Sequence, residues 1–128
     1  MKKNNDTLHL ILKKKWWDMI ESGVKTEEYR DVKPYWEKRL IDYKRLKEYY
    51  LEHREELAIK RVLFPHRPVI ENITEAFKRD YTHVCFHLGY TSTTMTFEID
   101  SISIGKGNPE WGAPKEDVFI IKLGKRLN

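Results

Sequence analysis

Residues 94–104 read TMTFEIDSISI, and the phase of their apolar residues decides the fold. Successive side chains of a strand point to opposite faces, so one face should carry one parity. Here the parity changes. Met95, Phe97 and Ile99 are odd-numbered, whereas Ile102 and Ile104 are even. A bulge near Asp100–Ser101 returns both sets to the same core face and bends the strand sharply. A long bent strand of this kind belongs in a curled or barrel-like sheet.

Working outward, residues 118–123 (VFIIKL) are apolar on both faces, which predicts a strand in the middle of the sheet. Residues 82–88 place Val84, Phe86 and Leu88 on one face. The run TLHLIL at 7–12 predicts a first strand. Residues 14–22 fit a short helix with Trp16, Trp17 and Ile20 at helical spacing. Gly23 then suits the position just past the helix, where the left-handed conformation is cheap for glycine. Residues 25–30 predict another strand.

Pro34 suits the first turn of a helix. Trp36, Leu40, Tyr43, Leu46 and Tyr50 extend that helix over about 34–57, with room for a break. FPHRP at 64–68 is a breaker, and 71–79 predicts a further helix starting at Asn72 or Thr74. The expected class is therefore α+β: a small mixed β-barrel, partly closed, with helices around it.

The chain has 128 residues, which suits one domain over 1–128. Its charge is high at 34%, yet nearly balanced at +4, which permits a polyanionic partner and equally permits a solvated mixed-charge surface. A single cysteine, Cys85, rules out a disulfide framework within the chain and fits a reducing compartment. No run approaches the ~18 apolar residues of a membrane span. The expectation is a cytoplasmic protein with no membrane partner; its oligomeric state is left open, with a monomer slightly favoured.

The segment KTEEYR at 25–30 is unusual, because neither of its faces is apolar. Glu28 and Arg30 share a parity and project to the same side. Burying such a pair costs several kcal/mol per ion unless the charges are paired and hydrogen-bonded. A solvated surface pair is the plain alternative.

Gly23-x-Lys25-x-x-Glu28-x-Arg30 resembles the G-x-K-x-x-E-x-R signature of the ASCH family. KKWWDMIESG before it, PYWEKRL after it, Gly89-Tyr90, MTFEIDSISIG, GNPEWGAP and FIIKLGKRL are also similar to phage and bacterial ASCH proteins. Residues 41–80 look like a helical insertion. The resemblance implies a PUA-like barrel whose motif residues line a cleft that binds RNA or a nucleoside- or nucleotide-like ligand. The ligand set it implies is Gly23, Lys25, Glu28 and Arg30, with Tyr90 and Trp111 at the rim and no cofactor. One branch hydrolyses N4-acetylcytidine with a lysine, a threonine and a glutamate. Lys25 matches that lysine, Glu28 stands at the threonine position, and Glu98 and Glu110 are both open as the glutamate. If the chain is an enzyme, an amidohydrolase of acylated cytidine or a nuclease, Lys25 and Glu28 are its catalytic residues. A protein-interaction module working through the 41–80 insertion is the third reading.

The chemistry of these types fits a polar ring. A carboxylate such as Glu28 accepts from an exocyclic amine. Arg30 can orient Glu28 or donate to a carbonyl or phosphate. Lys25 is a base if desolvated and a phosphate contact if exposed. Lys13, Lys14 and Lys15 lie at a predicted helix N-terminus and read either as an anion site or as exposed side chains. Trp16 or Trp17, and Trp36, are expected in the core. His83 and His87 would stand ~13 Å apart along a strand, too far to share an ion. His53 and His66 have no partner at ligand spacing, Cys85 reads as a buried thiol, and no metal site is expected.

Overall fold

A computed structural model describes residues 7–63 and 81–128. Its elements in chain order are β1 (Thr7–Leu12), α1 (Lys14–Glu21), β2 (Glu27–Asp31), α2 (Pro34–Leu40), α3 (Tyr43–Glu52), α4 (Arg54–Leu63), β3 (His83–Leu88), β4 (Thr94–Gly105), a 3-10 turn (Pro109–Trp111) and β5 (Val118–Arg126). The predicted breaker at 64–68 and helix at 71–79 lie outside the described residues.

The strands form one curled, half-barrel sheet in the order β1-β3-β4-β5-β2. β1 runs parallel to β3, and the other neighbours are antiparallel. The β4–β5 ladder shifts register between Phe97 and Ile99 and again between Ile99 and Ser101. The second of these, where β4 advances from Ile99 to Ser101 while β5 moves only from Leu123 to Lys122, absorbs the change of parity in β4. Met95, Phe97, Ile99, Ile102 and Ile104 all pack into or against the main core, so the extra residue bends the strand and keeps both sets inside. β5, paired on both sides, buries Phe119 and Ile121 in the main core and Val118 in a second small cluster with Tyr29 and Ala113.

Leu8, Leu10 and Leu12 of β1, with Trp17 and Ile20 of α1, close the core on one side. The single helix expected over 34–57 is three helices. Ile41 takes an extended conformation (φ −106°, ψ 129°). Leu40 and Ile41 are both fully buried there, and helical geometry does not send adjacent side chains the same way. Asp42 then starts α3, its carboxylate accepting from the amides of Lys44 and Arg45 at 3.1 and 3.2 Å. A second break at His53 separates α3 from α4.

Candidate functional site

The site begins where α1 ends. Gly23, at φ +85°, turns the chain in the left-handed region, and the amide of Lys25 donates back to Met19 O at 3.0 Å. β2 starts only at Glu27, so Lys25 is outside the strand alternation. This is a correction to the strand predicted at 25–30, and it has a chemical result. Strand parity would put Lys25 opposite to Glu28, yet Lys25 Nζ lies 2.9 Å from Glu28 Oε1.

Glu28 holds two cations. Its Oε1 pairs with Lys25, and its Oε2 accepts from Arg30 Nη1. Lys25 and Glu28 are 2% and 4% exposed. Lys25 Nζ also donates to Trp111 O at 2.5 Å and lies 4.8 and 4.9 Å from the Trp16 and Tyr29 ring centroids. Arg30 donates further to Tyr29 O (2.7 Å) and Ile11 O (3.2 Å), and its guanidinium lies over Trp36 at 5.3 Å. Among the described residues, no buried side-chain nitrogen or oxygen lacks a hydrogen-bond partner. That is the condition under which three charges can be buried together. Two cations against one carboxylate leave the floor with one excess positive charge.

This floor underlies a cleft of about 540 Å³ whose walls include Trp16, Tyr35, Trp36 and Trp111. Among the described residues, Glu28 is the one carboxylate in its lining, and no serine or threonine lines it. Trp111 is carried by the 3-10 turn, which Asn108 caps by accepting from the Glu110 amide at 2.9 Å. The turn ends at Gly112 (φ +99°), where an added Cβ would stand 2.9 Å from the Trp16 ring. The loop is also pinned to Tyr29, whose hydroxyl accepts from the Asn108 amide (3.0 Å) and donates to Glu27 Oε1 (2.7 Å). Burial pushes the Tyr29 phenol up to about 12, and the carboxylates of Glu27 and Glu28 add to that shift.

Lys25, Glu28, Arg30 and Trp111 therefore meet in one cleft, and Gly23 sits outside its walls as the turn that delivers Lys25. Tyr90 does not join them: it is 95% exposed in the β3–β4 turn and is not a lining residue. That turn is held by Gly89 donating to Leu12 O, which leaves the Tyr90 ring in solvent. Glu98 and Glu110 are exposed and also lie outside the lining. Trp17 is the core member of its pair, whereas Trp16 faces the cleft. Trp36 does both, packing on the core and lining the cleft. Of the three lysines, Lys13 lines the cleft, Lys14 pairs with Asp18 at 2.9 Å, and Lys15 lies over Trp16 at 4.7 Å. Trp16 and Trp36 were missed as cleft residues because helical spacing cannot separate the wall of a cleft from the wall of a core.

No protein-family model, no curated protein and no solved structure matches this chain. Among the described residues no helix is long and apolar enough to cross a membrane.

Proposed function

We propose that this is an ASCH-type, PUA-like domain whose cleft binds RNA or a nucleotide-like ligand. The observation that carries this reading is the buried Lys25–Glu28–Arg30 network, with one excess positive charge, beneath walls of indole. Aromatic walls suit a stacked base, and exposed Lys13 in the lining suits its phosphate. Glu28 retains acceptor capacity, because a carboxylate offers about four lone-pair sites and the two cations use two. An exocyclic amine is a fitting donor to it. Arg30 makes three hydrogen bonds of the five its guanidinium can donate, so the remainder can serve a base carbonyl or a phosphate oxygen. The motif resemblance and the curled half-barrel sheet point the same way.

The cleft lining favours binding over hydrolysis. Among the described residues it offers no aliphatic hydroxyl as a nucleophile and no second carboxylate as a partner for Glu28. Lys25 Nζ is already engaged by Glu28 Oε1 and by the Trp111 carbonyl, so it is tied into the floor of the cleft. Tryptophan-fluorescence titration with short single-stranded RNAs and with nucleotides tests the reading. Saturable quenching supports it; a flat response to every probe rejects it.

A protein-interaction role for the insertion has one observation behind it. Ile59, Val62 and Leu63 of α4 are all more than half exposed. Val62→Lys should disrupt any association measured by sedimentation, and an unchanged sedimentation profile across concentrations argues against that reading.

A further inference from the structure

The parallel pairing of β1 with β3 creates a juxtaposition that neither strand has alone. His9 stands opposite Cys85, and His87 is the next residue on the same face of β3. His9 Nδ1 and His87 Nε2 lie 3.0 Å apart. One donor atom from each of His9, Cys85 and His87 fits within 4.8 Å of the other two. His83, also on that face, is the residue the strand spacing rejected as a partner for His87. The third ligand comes from a different strand.

We propose that His9, Cys85 and His87 form a binding site for a zinc-type divalent transition-metal ion. Tetrahedral zinc takes imidazole nitrogens at ~2.0–2.1 Å and thiolate sulfur at ~2.3 Å, which sets donor separations of about 3.3–3.6 Å. The two imidazoles already stand at nearly that distance. His9 is exposed, so its ring can exchange the hydrogen bond to His87 for a shared ion without disturbing the core, while buried Cys85 is fixed by the sheet. Two imidazoles and one thiolate form a borderline-soft donor set that suits zinc and excludes magnesium and calcium, which require oxygen ligands. Three protein donors leave a fourth tetrahedral position for water or a ligand atom. His9 also lines the cleft, which places the ion at the edge of the proposed binding site. Coordination replaces the Cys85 S–H proton with the metal and releases that proton to solvent, with no change in oxidation state.

Cobalt(II) is the probe, because Cys85 is the single cysteine and any thiolate-to-cobalt charge-transfer band must come from it. Chelator-stripped full-length protein is titrated with Co2+. The expected result is that band together with tetrahedral ligand-field bands, saturating at one ion per chain and displaced by Zn2+. Cys85→Ser removes the charge-transfer band. His9→Gln and His87→Gln each weaken binding about tenfold or more, and His83→Gln leaves it unchanged. Because Cys85 is buried, circular dichroism checks the fold of Cys85→Ser; if that variant fails to fold, the exposed His9 variant decides. Absence of the charge-transfer band at saturating Co2+, or equal affinity of wild type and His9→Gln, overturns the proposal.

Discussion

The Arg30 guanidinium on β2 donates to the carbonyl of Ile11 on β1, so the two edge strands of the sheet meet through a side chain. The same guanidinium neutralises Glu28. One residue thus joins the open side of the half-barrel and organises the floor of the cleft. An exposed sheet edge is a template for unwanted pairing, and a charged side chain across it is one way to cover it.

Arg30→Ala should lower stability by about 1.5–3 kcal/mol, the range for hydrogen bonds to charged groups. Glu28 keeps Lys25 as a partner, which limits the loss. Urea unfolding measures it. A change below ~0.5 kcal/mol would show that Arg30 behaves as an ordinary surface residue.

Glu28→Ala should cost more, about 3–5 kcal/mol, because it leaves Lys25 and Arg30 facing each other without their shared anion. Glu28→Gln keeps the shape and should fall between wild type and alanine. If Glu28→Ala is no worse than Arg30→Ala, the carboxylate is not the centre of the network.

Gly112→Ala should weaken ligand binding as well as stability. The position needs φ +99°, and the new methyl would press on the Trp16 ring that lies beside Lys25. A strained backbone of this kind costs of order 1–3 kcal/mol. The check is the tryptophan emission spectrum together with the melting temperature. An unaltered spectrum would mean that Trp16 does not sense the turn.

Much of the fold could be read from the sequence. The parity change within 94–104 located the bend in β4, because only a bulge lets Ile99 and Ile102 share a core. The Glu28–Arg30 pair followed from alternation along β2. What alternation could not show is that Lys25 lies before the strand, where the turn after Gly23 brings it back to Glu28. Long-range pairing was equally hidden. His9 and Cys85 are brought together by a parallel register, which no local pattern encodes. Tyr90 and Trp111 looked alike beside glycines, but only Trp111 is tied down, through its carbonyl and Lys25.

Stability should fall as pH rises from about 10 to about 12. The unfolded chain releases the Tyr29 proton near the usual tyrosine value of ~10, whereas the folded phenol holds it up to about 12. Between these values the folded state binds more protons, so the slope of stability with pH is negative. Below pH 10 the contribution is fully present. Tyr29→Phe should remove this part of the slope and the latest phenolate absorbance step. A wild type and variant with identical alkaline titrations would contradict it.

On the proposed ASCH-type reading, N4-acetylcytidine should not be turned over efficiently, since Glu28 stands where the resembling hydrolase branch has its threonine hydroxyl. Chromatography of cytidine released during incubation measures this. Efficient release abolished by both Lys25→Ala and Glu28→Ala would make the protein a hydrolase.

The most direct test of the cleft as the binding site is a fluorescence titration of wild type and Arg30→Ala with the same short RNAs and nucleotides, run over a salt series. Near-ultraviolet circular dichroism confirms that the variant is folded. Expected are saturable quenching by wild type, affinity that falls steeply with salt, and at least about tenfold weaker binding by the variant. Equal binding by the two proteins, or no saturable binding by wild type, would contradict binding in this cleft.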